Sequence, residues 1–161
     1  MRRFYKRLVI VPGEPYTELM ETRITPYGGA DYDAAVALRR AILRTPLGLD
    51  FTAEQLAAEA ADTHFVAVDG GRLLGAVVMT PYTAATVKLR QMAVSPDAQG
   101  QGIGAALLAA FEAQARAMGI TGVTLAARVT AQGFYARHGY AAEGEVFEEV
   151  TIPHIRMTKA L

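Results

Sequence analysis

Apolar residues recur along this chain with two different periods, and the alternation of those periods lays out its elements. From residue 20, METRITPY alternates as a strand does, over Met20–Tyr27. Asp31 stands where a helix cap would, ahead of a helix expected over Tyr32–Arg44 and stopped by Pro46. Thr52 and Gln55 form a capping-box pair for a second helix, Ala53–Ala61. HFVAVDGGRLLGAVVMT predicts a hairpin: a strand at His64–Val68, a turn at Asp69-Gly70-Gly71 and a strand at Arg72–Thr80. LLGAVVM is apolar on both faces, so its strand is expected in mid-sheet. Another strand covers Thr86–Val94, broken by Pro96 and Asp97.

The period then changes. Ile103, Leu107, Leu108, Phe111, Ala115 and Met118 fall on one face of a helix that Gly119 closes. A strand at Val123–Arg128, a short helix at Ala131–His138 ended by Gly139, and strands at Tyr140–Phe147 and Ile152–Lys159 complete the chain. Antiparallel strands first and crossover helices later predict one α/β domain with a mixed sheet. That domain is expected over residues 20–161. Residues 1–19 are a leader or an edge strand: RLVIV has strand character, and Pro12-Gly13-Glu14-Pro15 ends it.

Composition narrows the functions open to such a domain. Its 161 residues are a single-domain length, and 52% of them are hydrophobic, enough for one core. Sixteen basic and sixteen acidic residues balance, so nothing global argues for nucleic acid or a membrane surface. The absence of cysteine removes disulfides, thiolate metal sites and cysteine nucleophiles. His64, His138 and His154 lie far apart without metal-ligand spacing, so no metal is expected. The basic start has an apolar run too short for a signal peptide, and no run approaches a membrane span; the expected location is the cytoplasm.

The chemistry concentrates in LRQMAVSPDAQGQGIGAALL, from Leu89 to Leu108: a strand, a glycine turn and a helix start. A helix entered through glycines presents backbone N–H groups without partners and the positive end of its dipole. A phosphate is the natural ligand there. Three glycine patterns compete. The nucleoside-triphosphatase loop needs a Lys-Ser/Thr pair that is missing. The dinucleotide fingerprint is matched formally by Gly100, Gly102 and Ala105, but no acidic residue ends the next strand to hold a ribose. The pattern Q/R-x-x-G-x-G/A is matched by Gln99, Gly102 and Gly104.

This third pattern, with LRQMAVSP ahead of it and AQGFYARHGY some thirty residues behind, resembles the GNAT superfamily of acetyl-CoA-dependent N-acetyltransferases. IPH-x-x-M near the end and LRRAILRTPLGLD are similar to its ElaA-like or YjcF-like branch. The resemblance implies the acyl-CoA N-acyltransferase fold: a mostly antiparallel mixed sheet with splayed central strands, flanked by helices. It implies transfer of an acetyl group to a primary amine, of a small molecule or a protein, by direct attack. The alternative on the same fold is a non-catalytic acyl-CoA-binding sensor.

Residue by residue, the resemblance implies that Gln99, Gly100, Gln101, Gly102, Ile103, Gly104 and Ala105 wrap the CoA pyrophosphate. Met92, Ala93 and Val94 would pair through their backbone with the pantetheine arm, in a bulged strand splayed from Val123–Ala127. Phe134-Tyr135 in a setting like F-Y-x-x-x-G-[FY] places Tyr135 near the CoA sulfur. A phenol with an ordinary pKa of about 10 is protonated at neutral pH and can protonate a leaving thiolate. Arg128 stands where many relatives carry asparagine; it faces a CoA phosphate, an acidic acceptor or solvent. For the base, FEEVTIPHIRM offers Glu148, Glu149 and His154. His154, with a reference pKa of about 6.5, suits either a proton relay or a structural cap on a strand, and Glu148 suits the relay if burial raises its pKa. Pro153 suits a strand mouth or a sheet edge. Arg39 and Arg44 are candidates for the acceptor mouth or a solvated helix face. Acetyl-CoA and an amine are the expected partners, and a homodimer is in keeping with the family.

Overall fold

The computed structural model describes residues 3–7 and 20–161. Among the described residues, eight strands form one sheet: β1 (Arg3–Arg7), β2 (Met20–Thr25), β3 (Thr63–Asp69), β4 (Arg72–Pro81), β5 (Thr86–Val94), β6 (Gly122–Arg128), β7 (Ala141–Glu149) and β8 (Ile152–Ala160). Their spatial order is β1-β2-β3-β4-β5-β6-β8-β7. Only β5 and β6 run parallel; every other neighbouring pair is antiparallel. Four α-helices accompany it: α1 (Ala30–Leu43), α2 (Ala53–Ala58), α3 (Ile103–Ala117) and α4 (Gln132–Arg137). The α/β fold with a mostly antiparallel, splayed sheet is as expected. Past Arg7, the strand expected at RLVIV lies outside the described residues.

Strand alternation sorts the core into two layers. Phe65, Ala67, Val77, Val87, Leu89, Val123 and Leu125 pack against Leu107, Leu108, Phe111 and Ala115 of α3, with Tyr135 of α4 in the same cluster. Val66 and Ala76 point the other way and meet Ala35 of α1. β4 is buried over most of its length, as its two-sided apolar sequence requires. At Gly75 the sheet and α3 come close enough that a Cβ would sit 2.9 Å from Leu107 Cδ1.

Several local expectations need correction. Asp31 does not cap α1: the cap is Gly29, without a side-chain bond, and Asp31 instead pairs with Arg23 at 2.6 Å. α2 is shorter than expected because Glu59–Ala61 tightens into a 3-10 turn; its Thr52–Gln55 capping box is present in both directions. Met118 is half exposed, since α3 ends at Ala117, before it reaches the core. Pro153 is not on an edge strand, because β8 inserts between β6 and β7. It does sit at a strand mouth: pairing with β6 begins only at His154, opposite Arg128.

Candidate active site

Two irregularities of β5 open the site. Against β4, Ala76 faces Ala93 and Val78 faces Arg90, so two residues, Gln91 and Met92, oppose Val77 alone. This is a β-bulge, and Gln91 takes a left-handed φ of 59° in it. Against β6, the parallel ladder runs from Thr86–Gly122 to Leu89–Leu125 and stops there. Beyond that point β6 pairs only with β8. The two strands part, and a cavity of about 370 Å³ fills the gap, lined among others by Leu89, Gln91, Met92, Ala126, Ala127 and Tyr135.

The glycine turn leads out of β5 on one side. Gly100 and Gly102 have φ of 77° and 83°, which glycine adopts without steric penalty. Gln99 Nε2 donates to the Val94 carbonyl at 3.2 Å, and Gln101 Nε2 to that of Asp97 at 3.3 Å, so both side chains hold the turn. Gly102 caps α3 without a side-chain bond. The first N–H bonded within the helix is that of Ala106, to the Gly102 carbonyl at 3.0 Å. The N–H groups of Ile103, Gly104 and Ala105 come before it, at the positive end of the helix dipole.

α4 is fitted to this turn by aromatic packing. A Cβ at Gly104 would lie 3.3 Å from Phe134 Cζ, so the missing side chain makes room for that ring. Phe134 meets Tyr135 edge-on at 5.0 Å and His138 at 4.7 Å. Tyr135 is 6% exposed, yet its ring lines the cavity. Burial pushes its phenol above the ordinary range, so it stays protonated at neutral pH and above.

The far wall comes from the β7–β8 hairpin. Its turn residues Val150 and Thr151 have φ of 45° and 68°, the left-handed pair of a type I′ turn, but with β-branched side chains. That turn sets Glu149 opposite Ile152 and Phe147 opposite His154. Phe147 stacks on the His154 ring at 6.1 Å. His154 is 4% exposed and lines the cavity. Its Nδ1 lies 2.9 Å from the Ile152 carbonyl, which can only accept, so the proton belongs on Nδ1. Nε2 lies 3.7 Å from Glu149 Oε2.

Some candidates fall elsewhere. Glu148 is exposed and outside the cavity lining, because alternation turns it to the face opposite Glu149, which lines it. Ala93 and Val94 form strand bonds with Ala76 and Gly75; of the three bulge residues named from sequence, Met92 reaches the cavity. Arg128 reaches it too, and its Nη2 donates to the Leu43 carbonyl at 3.2 Å. Arg44 also lines the cavity. Arg39 neither lines it nor faces solvent: it is fully buried and ion-paired with Glu59. Lys88, Arg90 and Val150 belong to the lining but were not singled out in the sequence. The β5 alternation could have found the first two, since Lys88 and Arg90 face away from the α3 core that holds Val87 and Leu89.

Among the described residues no group of His, Asp or Glu could hold a metal ion, and no helix is long and apolar enough to cross a membrane.

The family model for the acetyltransferase (GNAT) domain matches residues 46–161. The uncharacterized protein YyaT of Bacillus subtilis is 30% identical over 76 residues, which span 47% of this chain and 51% of that protein, about half of each. The crystal structure of Escherichia coli ElaA superposes with a TM-score of 0.72 at 21% identity, covering 87% of this chain and 99% of that one. A GNAT family acetyltransferase from Elizabethkingia anophelis, with acetyl-CoA bound, superposes with a TM-score of 0.67 at 19% identity, covering 88% and 98%. At those identities the two structures show the shared fold.

Proposed function

The chain belongs to the GNAT acetyltransferases, and on that premise we propose that it moves an acetyl group from acetyl-CoA to a primary amine by direct attack. The observation that carries this reading is the parting of β5 and β6 past Leu89 and Leu125, which opens a cavity lined by a buried phenol, while the same strand β5 leads on to a phosphate-ready helix start. Acetyl-CoA, when bound, supplies the activated acetyl group. The N–H groups of Ile103, Gly104 and Ala105, with the turn from Gln99 to Gly102, hold its pyrophosphate. Met92, in the bulge, offers strand backbone to the pantetheine arm, continued by Ala93 and Val94.

The amine nitrogen attacks the thioester carbon; a C–N bond forms and the C–S bond breaks. Tyr135 gives its proton to the leaving sulfur and takes back the second proton that the nitrogen sheds as the amide forms. The proton lost by the ammonium passes to His154 Nε2, and Glu149 steadies the imidazolium that results. Glu149, rather than the Glu148 offered from the sequence as a relay, is the carboxylate that faces His154. The reading places the protein in the cytoplasm. It allows a homodimer, for which β7, an end strand of the sheet exposed along its whole length, offers one edge.

Release of the CoA thiol from acetyl-CoA, in the presence of amines, tests the reading directly; the chain has no cysteine to add thiols of its own. Tyr135→Phe is expected to keep CoA affinity and to lower kcat by about 100-fold or more. Equal turnover removes the acid role from Tyr135. Tight CoA binding without turnover on any amine favours the sensor.

A further inference from the structure

The cavity is chemically one-sided. Phe134, Tyr135 and Ala131 wall its α4 side. Toward the C-terminal end of α1 it is lined by Arg44, Lys88, Arg90 and Arg128, all half-buried. Among the described residues no carboxylate lies within ion-pair distance of any of the four. Glu149 is the one carboxylate in the lining. The four cations are also separate from the phosphate turn, since no residue from Gln99 to Ala105 lines this cavity.

Two of the cations are held side by side. Arg44 Nη1 donates to the Leu43 carbonyl at 3.0 Å, and Arg128 Nη2 donates to that same oxygen at 3.2 Å. The last carbonyls of a helix carry its negative end, which favours guanidinium there. Arg44 Cζ also lies over the Phe51 ring, 4.7 Å from its centroid. Burial, then the nearby Arg128 and Arg39, hold Arg44 below its ordinary pKa, and Glu149 partly offsets them. Four like charges with only Glu149 beside Arg44 and Asp62 beside Arg90 to offset them repel on balance, and an anion bound among them relieves that repulsion. Arginine forks bind carboxylates in two-pronged fashion.

We propose that the acceptor is an anionic amine, a primary amine that carries at least one carboxylate, seated with that carboxylate on Arg44 and Arg128 and its nitrogen toward His154. Arg90 and Lys88 extend the same positive wall toward further acidic groups. The site disfavours polyamines and other polycations, which would enter as like charges. This proposal rests on the acetyltransferase reading and narrows its substrate class.

The test is CoA-thiol release at saturating acetyl-CoA on matched amines: aspartate and glutamate, the same two with every carboxylate converted to amide, and spermidine. Calorimetry of each amine on CoA-loaded protein gives binding independently of turnover. The variants are Arg44→Gln, Arg128→Gln and Arg44→Lys, with Arg90→Gln as a further variant at a residue that makes no bond to the helix end. The acids are expected to show kcat/KM about tenfold or more above their amides. Arg44→Gln or Arg128→Gln should raise the acid's KM by about the same factor and leave the KM of acetyl-CoA unchanged. Arg44→Lys should recover part of that loss, because charge returns without the fork. An amide or spermidine used as well as the acids, or variants without effect on KM, overturns the proposal and leaves the acetyltransferase reading standing. If CoA binds but nothing is turned over, acids that bind no tighter than their amides overturn it equally. A protein that binds no CoA overturns both readings.

Discussion

Each face of the sheet holds one buried carboxylate, and the two have nearly the same partners. Under α1, Glu59 accepts from the Tyr32 hydroxyl at 3.0 Å and pairs with Arg39 through both nitrogens of its fork. Under α3, Glu112 accepts from the Tyr140 hydroxyl at 3.1 Å and from Lys159 Nζ at 2.9 Å to each oxygen. The difference lies in where the cation goes next. Lys159 ends at the rim, its side chain 22% exposed, over the Tyr140 ring. Arg39 has 1% of its side chain exposed and reaches on through Nε to Gln91 Oε1 at 3.4 Å. Gln91 is the left-handed residue of the bulge and lines the cavity. One triad ties helix to sheet; the other also braces the strand defect on which the site depends.

Removing the cations separates these roles. Arg39→Met leaves Glu59 buried without its charge partner and is expected to cost about 3–5 kcal/mol of stability. Lys159→Met leaves Glu112 with Tyr140 and the more distant Arg116, at 3.6 Å, and should cost about 1 kcal/mol. Chemical denaturation measures both. Where folded protein persists, Arg39→Met should also weaken CoA binding and Lys159→Met should not; equal effects on CoA would erase the functional half of the contrast.

Alkaline pH acts on both triads together. Burial, then Glu59, raises the Tyr32 pKa; burial, then Glu112, raises that of Tyr140. Their neutral forms are favoured only in the folded chain. That stability is complete below the unfolded tyrosine pKa of about 10 and is lost as pH rises toward the folded values. Melting temperature should therefore fall above about pH 10, and Tyr32→Phe with Tyr140→Phe should flatten the fall. A slope unchanged in the double variant assigns it to other groups.

An effect as small as that of Lys159→Met is expected at the β7–β8 turn. Thr151→Gly removes a β-branched residue from a left-handed φ and should stabilise the fold by about 1 kcal/mol, read as a higher melting temperature. A loss of stability would mean that the threonine side chain contributes more than its backbone strain costs.

That same turn shows why parts of the site were hard to read in the sequence. Where residue type and backbone need agree, as at Gly100 and Gly102 or in the Thr52–Gln55 capping box, the element was legible. Val150 and Thr151 adopt a conformation that their own side chains disfavour, so nothing local announced a two-residue turn. Without the turn the hairpin register was unknown, and with it the choice between Glu148 and Glu149. Strand order was hidden for another reason. Sequence shows which segments are strands, but β8 slips between β6 and β7, a placement set by long-range pairing. The cationic wall needed the splay, the end of α1 and the β6 alternation at once, three facts that meet only in space.

The position of β8 also sets an order in time. β7 is made first but touches the sheet only through β8, so it has nothing to pair with until the later strand arrives. Until then β6 presents an open edge from Gly122 to Arg128, and the cavity wall that Glu149 and His154 supply is missing. An incomplete chain therefore holds the phosphate turn and the four cations before it holds Glu149 and His154. During that interval its exposed β6 edge is the place where another nascent strand would pair in error.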